Sequence, residues 1–256
     1  MKTVVLTQKS IHTGNLILVN AQHSYREDAQ PHLYTSVSPT EHSVLMEYHA
    51  GQMLSLLMET LEGWKEICAV SGWRSMEEQQ ELYTQSLKDN GEEFTQKFVA
   101  LPGCSEHQTG LAIDLGLKKD SIDFICPDFP DTGICHAFRE KAAQFGFVER
   151  YPQGKEKITG IAHEPWHFRY VGAPHGEIMS SCKLTLEEYH EFLKRYPYGK
   201  KHFLYSSQDG CFSVSYLNAQ RAANTQFEIA DETTFFVSGN NVDGYIITER
   251  RDQNGT

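Results

Sequence analysis

Hydrophobic and polar positions along the chain follow two periods. In Leu111-Ala-Ile-Asp-Leu-Gly-Leu117, Leu111, Ile113 and Leu115 fall on one face and Ala112, Asp114 and Gly116 on the other, the alternation of a half-buried strand. His167-Phe-Arg-Tyr-Val171 alternates in the same way, with Phe168 and Tyr170 opposite His167 and Arg169. Leu16–Asn20 and Ile67–Gly72 read as further short strands. Helical spacing appears at Val44, Leu45, Tyr48, Leu56, Leu57 and Leu61, a stretch opened by Thr40-Glu41-His42 and closed at Gly63. Ser75 and Glu78 form a capping box that predicts a helix to about Lys88, stopped by Asn90-Gly91. Residues 133–145 predict another helix, with Gly146 as its stop.

From Leu184 the character changes. Thr185 is placed to cap a helix with Glu187 and Glu188 in its first turn, and short β-like runs follow at 203–206, 211–217, 226–230, 234–237 and 245–249. Together the elements predict an α+β fold, a small, mainly antiparallel sheet flanked by helices, with a β-rich C-terminal appendage. The predicted boundary gives a catalytic domain over 1–182 and an extension over 183–256. A chain of 256 residues is long enough for one sizeable core with such an appended unit.

Lys plus Arg is 23 and Asp plus Glu is 34, a formal charge of −11. Without a basic run this lacks the electrostatic footprint for nucleic acid or an anionic membrane. No window approaches the roughly 18 apolar residues of a spanning helix, and the N-terminus lacks the apolar core of a signal peptide. The expected location is the cytoplasm. The six cysteines are scattered without a C-x-x-C pair and read as free thiols.

Candidate chemistry concentrates in two stretches, Ser105-Glu-His-Gln-Thr-Gly-Leu-Ala-Ile-Asp114 and His163-Glu-Pro-Trp-His167. His107 on a loop and Asp114 on the polar face of the next strand, with Gly110 allowing the turn between them, can join a histidine of the second stretch. Three protein ligands and an open fourth position make a catalytic zinc site. The second stretch also matches H-E-x-x-H literally, the signature of helical zinc proteases. Pro165 argues against that helix, since it lacks an N–H and crowds the preceding turn at a cost of about 3 kcal/mol. It also pushes Glu164 out of the α region. Both readings keep Glu164 as general base and His167 as ligand. They differ on whether His163 completes the site, or His107 and Asp114. Arg74 can also be read as a salt-bridging arginine before a helix, Ser105 as an N-cap hydroxyl, and Trp166 as core packing.

The motifs S-x-H-x-x-G-x-A-x-D at Ser105–Asp114, E-P-W-H at Glu164–His167 and S-G-W-R-S at Ser71–Ser75 resemble the zinc D-alanyl-D-alanine peptidase family, which includes VanY carboxypeptidases, VanX dipeptidases and bifunctional VanXY members. The resemblance spans roughly residues 16–175 and is most specific in its ten-position motif. It implies the hedgehog-like fold of that family and one Zn2+ per chain, bound by His107, Asp114 and His167. It further implies Glu164 as the base, Arg74 on the developing oxyanion, and Ser105 and Gln79 against the substrate; Trp166, the aromatic expected to depart from core packing if any does, is a further candidate for substrate contact. The implied substrates are the dipeptide D-Ala-D-Ala and the nucleotide-linked pentapeptide precursor of peptidoglycan, whose trimming removes the target of glycopeptide antibiotics such as vancomycin. Two rivals remain at this stage: an H-E-x-x-H protease acting on L-peptides, and a non-catalytic zinc module of the same fold.

Overall fold

The computed structural model describes residues 1–27, 33–38, 42–220 and 223–251, which divide into two compact units, Val19–Thr185 and Met1–Leu18 with Leu186–Thr256. Strand β1 is Lys2–Leu6, followed by β2 (Tyr34–Ser36), β3 (Leu45–Glu47) and helix α1 (Tyr48–Leu61). Then come β4 (Ile67–Ser71), α2 (Met76–Asn90), α3 (Glu92–Phe98) and β5 (Ala112–Leu117). The first unit is completed by α4 (Gly133–Ala142), β6 (Phe147–Glu149), α5 (Glu156–Thr159), β7 (His167–Tyr170) and α6 (His175–Cys182). The remaining elements are α7 (Leu186–Leu193), β8 (Phe203–Ser207), β9 (Gly210–Asn218), β10 (Thr225–Ile229), β11 (Phe235–Gly239) and β12 (Gly244–Arg251).

Within Val19–Thr185 the main sheet is antiparallel, in the order β4-β5-β7-β6. Leu111, Ile113 and Leu115 point into a core shared with Phe129, Phe138 and Phe168, whose rings meet edge to face at 4.8–5.7 Å. Helix α1 buries Ala50, Leu54, Leu57 and Met58 in the same core. The Ser75–Glu78 capping box is present and starts α2.

Two predicted elements differ. The helix expected from Thr40-Glu41-His42 begins at Tyr48; Thr40 and Glu41 lie outside the described residues, and Leu45–Glu47 pairs as a strand with β2. Its start is set by the Glu47 carboxylate, which accepts a hydrogen bond from Ala50 N at 2.9 Å. The expected strand Leu16–Asn20 does not form: Leu16 to Val19 are buried but irregular, because their polar partners come from loops and side chains, with Leu18 N donating to Asn240 O and Asn241 Nδ2 donating to Leu18 O. Sequence periodicity also missed α3 and α6.

In the other unit, β1 pairs antiparallel with β10 from Lys2↔Ile229 to Leu6↔Thr225. Residues 1–18, which the sequence reading assigned to the catalytic domain, therefore belong with the C-terminal strands. A four-stranded antiparallel sheet runs β11-β12-β9-β8, and Leu6, Phe227, Ile229, Tyr245 and Ile247 form this unit's own core. Among the described residues no helix is long and apolar enough to cross a membrane.

Candidate active site

Strand register assembles the site. Asp114 on β5 is the cross-strand partner of His167, the first residue of β7, and on its other side it pairs with Ser71 at the end of β4. The register shift between Ala69 and Ser71 ends β4 beside Asp114, and residues 72–75 lead from there into α2. His107 sits in the short 3-10 turn Glu106–Thr109 that feeds β5. Gly110 turns that chain into the strand at φ +72°, and a Cβ there would come within 2.9 Å of Glu47 N. Gly72 is needed for close approach, since a Cβ would meet Leu45 O at 2.2 Å.

His107, Asp114 and His167 are all buried, and one ligand atom from each lies within 4.8 Å of the others. His107 Nε2 is 3.1 Å from Asp114 Oδ2, and His167 Nδ1 is 2.9 Å from Asp114 Oδ1. The latter pair is out of line for a hydrogen bond, so Asp114 Oδ1 is left buried without one. Such donors are directed at a common point rather than at each other. The His107 tautomer agrees with this. His107 Nδ1–H donates to Gly72 O at 2.7 Å, which leaves the Nε2 lone pair facing Asp114. His167 turns Nδ1 toward Asp114, while its Nε2 lies 3.9 Å from Glu106 Oε2, beyond hydrogen-bond reach. Two imidazole nitrogens and one carboxylate oxygen suit zinc with an open coordination position.

Behind this group lies an ion cluster that the sequence reading missed. Glu106 is fully buried, with Oε1 2.8 Å from both Arg150 Nε and Arg169 Nη1, and neither arginine side chain reaches solvent. Burial alone would raise the Glu106 pKa, but the two guanidinium groups outweigh it and hold the carboxyl well below the usual range. Burial likewise disfavours charge on His167, yet the Asp114 and Glu106 carboxylates overcome it and lift the metal-free imidazole to about 9. Asp114 is also held low, its burial outweighed by His107 and His167. A signal for Glu106 did exist: the alternation of β7 puts Arg169 on the same face as His167, and a buried arginine needs a carboxylate.

Glu164 is buried beside the three donors. Its backbone N–H donates to Tyr151 O, its carbonyl accepts from His167 N across a turn, and its Oε2 is 3.6 Å from His167 Nδ1. Burial in the metal-free site pushes its carboxyl up to about 8, with Asp114 adding to the rise and His167 opposing it. Pro165 thus sits in a turn entering β7, and no helix forms there. His163 turns away to Glu149, Nε2 to Oε1 3.1 Å, and is not part of the donor group.

Arg74, Gln79, Ser105, Glu164 and Trp166 line the same cleft as the three donors, together with Phe98, Phe124 and Tyr151. Arg74 is fixed by two bonds, Nη1 donating to Gln79 Oε1 at 2.6 Å and Nη2 to Ser71 Oγ at 2.7 Å. Gln79 in turn donates to Ala100 O at 2.7 Å, so both ends of its buried amide are engaged by protein. The Ser105 hydroxyl makes no cap bond at the turn it precedes. Trp166 is 8% exposed and packs on Phe98, with ring centres 6.5 Å apart.

The ion cluster yields a stability prediction. Glu106→Gln leaves two buried guanidinium groups facing a neutral amide and should cost about 3–5 kcal/mol in urea unfolding. Glu93→Gln, which removes an exposed pair with Lys97, should cost less than about 1 kcal/mol. Equal costs would contradict this reading of the cluster.

Comparison with known proteins bears on what such a cleft does. A family profile described as VanY, D-alanyl-D-alanine carboxypeptidase, matches residues 42–173. The bifunctional D-Ala-D-Ala dipeptidase and D-Ala-D-Ala carboxypeptidase VanXYC of Enterococcus gallinarum is 44% identical over 181 residues, 70% of this chain and 95% of that relative. Among solved structures, the vancomycin resistance D,D-dipeptidase VanXYg in complex with a D-Ala-D-Ala phosphinate analogue matches with a TM-score of 0.94 at 45% identity, covering 98% of this chain and 99% of that one. A mutant VanY D,D-pentapeptidase from a VanB-type resistance cassette, in complex with Zn(II), matches with a TM-score of 0.57 at 30% identity over 69% of this chain and 98% of that one. The profile spans the segment that carries all three donors, Glu164 and Arg74, and the chain belongs to the VanY family of D-alanyl-D-alanine carboxypeptidases.

Proposed function

We propose that this chain is a zinc D,D-peptidase that hydrolyses the terminal D-Ala-D-Ala bond of the free dipeptide and of the pentapeptide precursor. The observation that carries the reading is the buried His107–Asp114–His167 donor group with Glu164 beside it and Arg74 in the same cleft. In this reading the three donors hold one Zn2+ per chain. Zinc, when bound, supplies the Lewis acidity that lowers the pKa of a water and polarises a carbonyl.

Glu164 takes a proton from the attacking water and passes it to the leaving amine as the C–N bond breaks. Its carboxylate, the form able to accept that proton, is favoured by a neighbouring cation even though the metal-free site favours the acid. Arg74 donates to the carbonyl oxygen as it becomes an oxyanion, and Gln79 and Ser71 keep its guanidinium aimed. Ser105 and Trp166 line the cleft from two further directions and take substrate contacts in this scheme. A structural zinc site would need neither Glu164 nor Arg74. Acting in the cytoplasm, where the nucleotide-linked precursor is made, the reaction removes the D-Ala-D-Ala terminus bound by glycopeptide antibiotics and so gives resistance to them.

A pH test follows from Glu164. In the metal-free protein the folded carboxyl keeps its proton through a range in which the unfolded one, near 4.5, has lost it. Folding therefore takes up a proton, and stability falls as pH rises from about 4.5 to about 8. Glu164→Gln should remove that slope, so its unfolding free energy should gain on wild type across this window; parallel curves would contradict the assignment. The activity test is release of D-alanine from D-Ala-D-Ala and from a pentapeptide ending in it. Wild type should release it from both, and Glu164→Ala should lose activity by about 100-fold or more while still holding zinc. A zinc-loaded wild type that leaves both substrates intact would overturn the function.

A further inference from the structure

Glu164 is aimed differently from its neighbours in the cleft. Arg74 is held by Gln79 and Ser71, and His107 by Gly72 O, each through its own side chain. No hydrogen bond from the described residues reaches the Glu164 carboxylate, whose Oε2 stands 3.6 Å from His167 Nδ1. Its direction therefore follows from the backbone of the turn 164–167. Three bonds anchor that turn: Glu164 N donates to Tyr151 O at 3.1 Å, Leu115 N to Trp166 O at 3.1 Å, and Arg139 Nη2 to Pro165 O at 2.8 Å. The first two are main-chain bonds, whereas the third comes from a side chain on α4.

We infer that Arg139 is a positioning residue for the general base: through Pro165 O it holds the turn that points the Glu164 carboxylate at the attacking water, an inference that rests on the peptidase reading above. Arg139 is itself fixed. Nη2 also donates to Phe129 O at 2.7 Å, Nη1 to Pro130 O at 2.9 Å and Nε to Glu149 Oε2 at 3.1 Å. Its guanidinium carbon lies 4.9 Å from the centre of the Phe129 ring, which packs in the core against Phe138 and Phe168. The other Glu149 oxygen is 3.1 Å from His163 Nε2. Both chain neighbours of Glu164 are thus tied to one ion pair, His163 by its side chain and Pro165 by its carbonyl. A planar guanidinium suits this task, since its forked donors reach three carbonyls and a carboxylate at once, which an ammonium on one point does not. Arg139 does not line the cleft, so it acts on the reaction through the turn alone. A misplacement of about 1 Å at a reacting group costs on the order of 100-fold in rate.

The test is a double-mutant cycle between Arg139→Met and Glu164→Ala on zinc-loaded protein, with D-Ala-D-Ala as substrate. Methionine keeps the apolar stem and removes every donor. In the wild-type background Arg139→Met should lower kcat about tenfold or more and leave KM within about twofold. Zinc content should match wild type, because pairing of β7 with β5 keeps His167 opposite Asp114. In the Glu164→Ala background the same substitution should change the residual kcat by less than about twofold, since the group it aims is gone. A residue that only supported the fold would lower kcat alike in both backgrounds. Arg139→Lys, which keeps a cation beside Glu149 but not the fork, runs the same cycle if the methionine variant does not fold. An unchanged kcat, equal losses in both backgrounds, or loss of zinc together with kcat would overturn the positioning role while leaving the peptidase reading intact. Wild type inactive on D-Ala-D-Ala would remove both readings.

Discussion

A carboxylate with no exposure to solvent, Glu106, lies between two arginines that are equally buried, and the active-site cleft depends on this arrangement. The three charges come from three segments that also meet through the β5-β7-β6 pairing. Glu106 precedes His107, Arg150 follows β6, and Arg169 stands two residues after His167. Removing Glu106 would leave two guanidinium charges facing each other in a dry interior, so the carboxylate holds the two arginine-bearing segments in one relative placement. Such a cluster is weak evidence for net stability, because desolvation consumes most of the Coulombic gain. Its value here is positional: it holds the Glu106 carboxylate 3.9 Å from His167 Nε2, with the other ring nitrogen toward Asp114.

The same logic extends outward. Main-chain oxygen orients His107, a carboxylate faces His167, and paired strands set Asp114 between them. Arg74 is aimed by Gln79 and Ser71 in the same manner. His107 and Arg74 thus each have a hydrogen-bond partner that fixes their direction, the kind of preorganisation that limits rearrangement at a reactive centre. The fold supplies these partners cheaply, since β4, β5 and β7 are adjacent strands and their ends converge at one edge of the sheet.

Much of this was legible in the sequence, and the rest was hidden for identifiable reasons. The alternation in 111–117 and 167–171 gave both strands and put Asp114 and His167 on polar faces. Pro165 correctly argued a turn rather than an H-E-x-x-H helix, and His163 indeed faces Glu149. Periodicity failed where tertiary partners override it. Leu16 to Val19 are buried without strand pairing, and α1 starts late because Glu47 caps it and β3 precedes it. The pairing of β1 with β10 joins residues more than two hundred positions apart, as Lys2↔Ile229 illustrates, and no local pattern encodes it. Glu106 was passed over because an acid beside a histidine looks ordinary until Arg150 and Arg169 are seen to converge on it.

The central claim is that His107, Asp114 and His167 form the metal site and His163 does not. Zinc stoichiometry and affinity, measured by chelator competition on wild type, His107→Ala, His167→Ala and His163→Ala, test it most directly. One zinc per chain is expected in wild type and in His163→Ala, with affinity lowered by at least about 100-fold in the other two. Zinc held undiminished without His107 or His167, or lost with His163, would contradict the account.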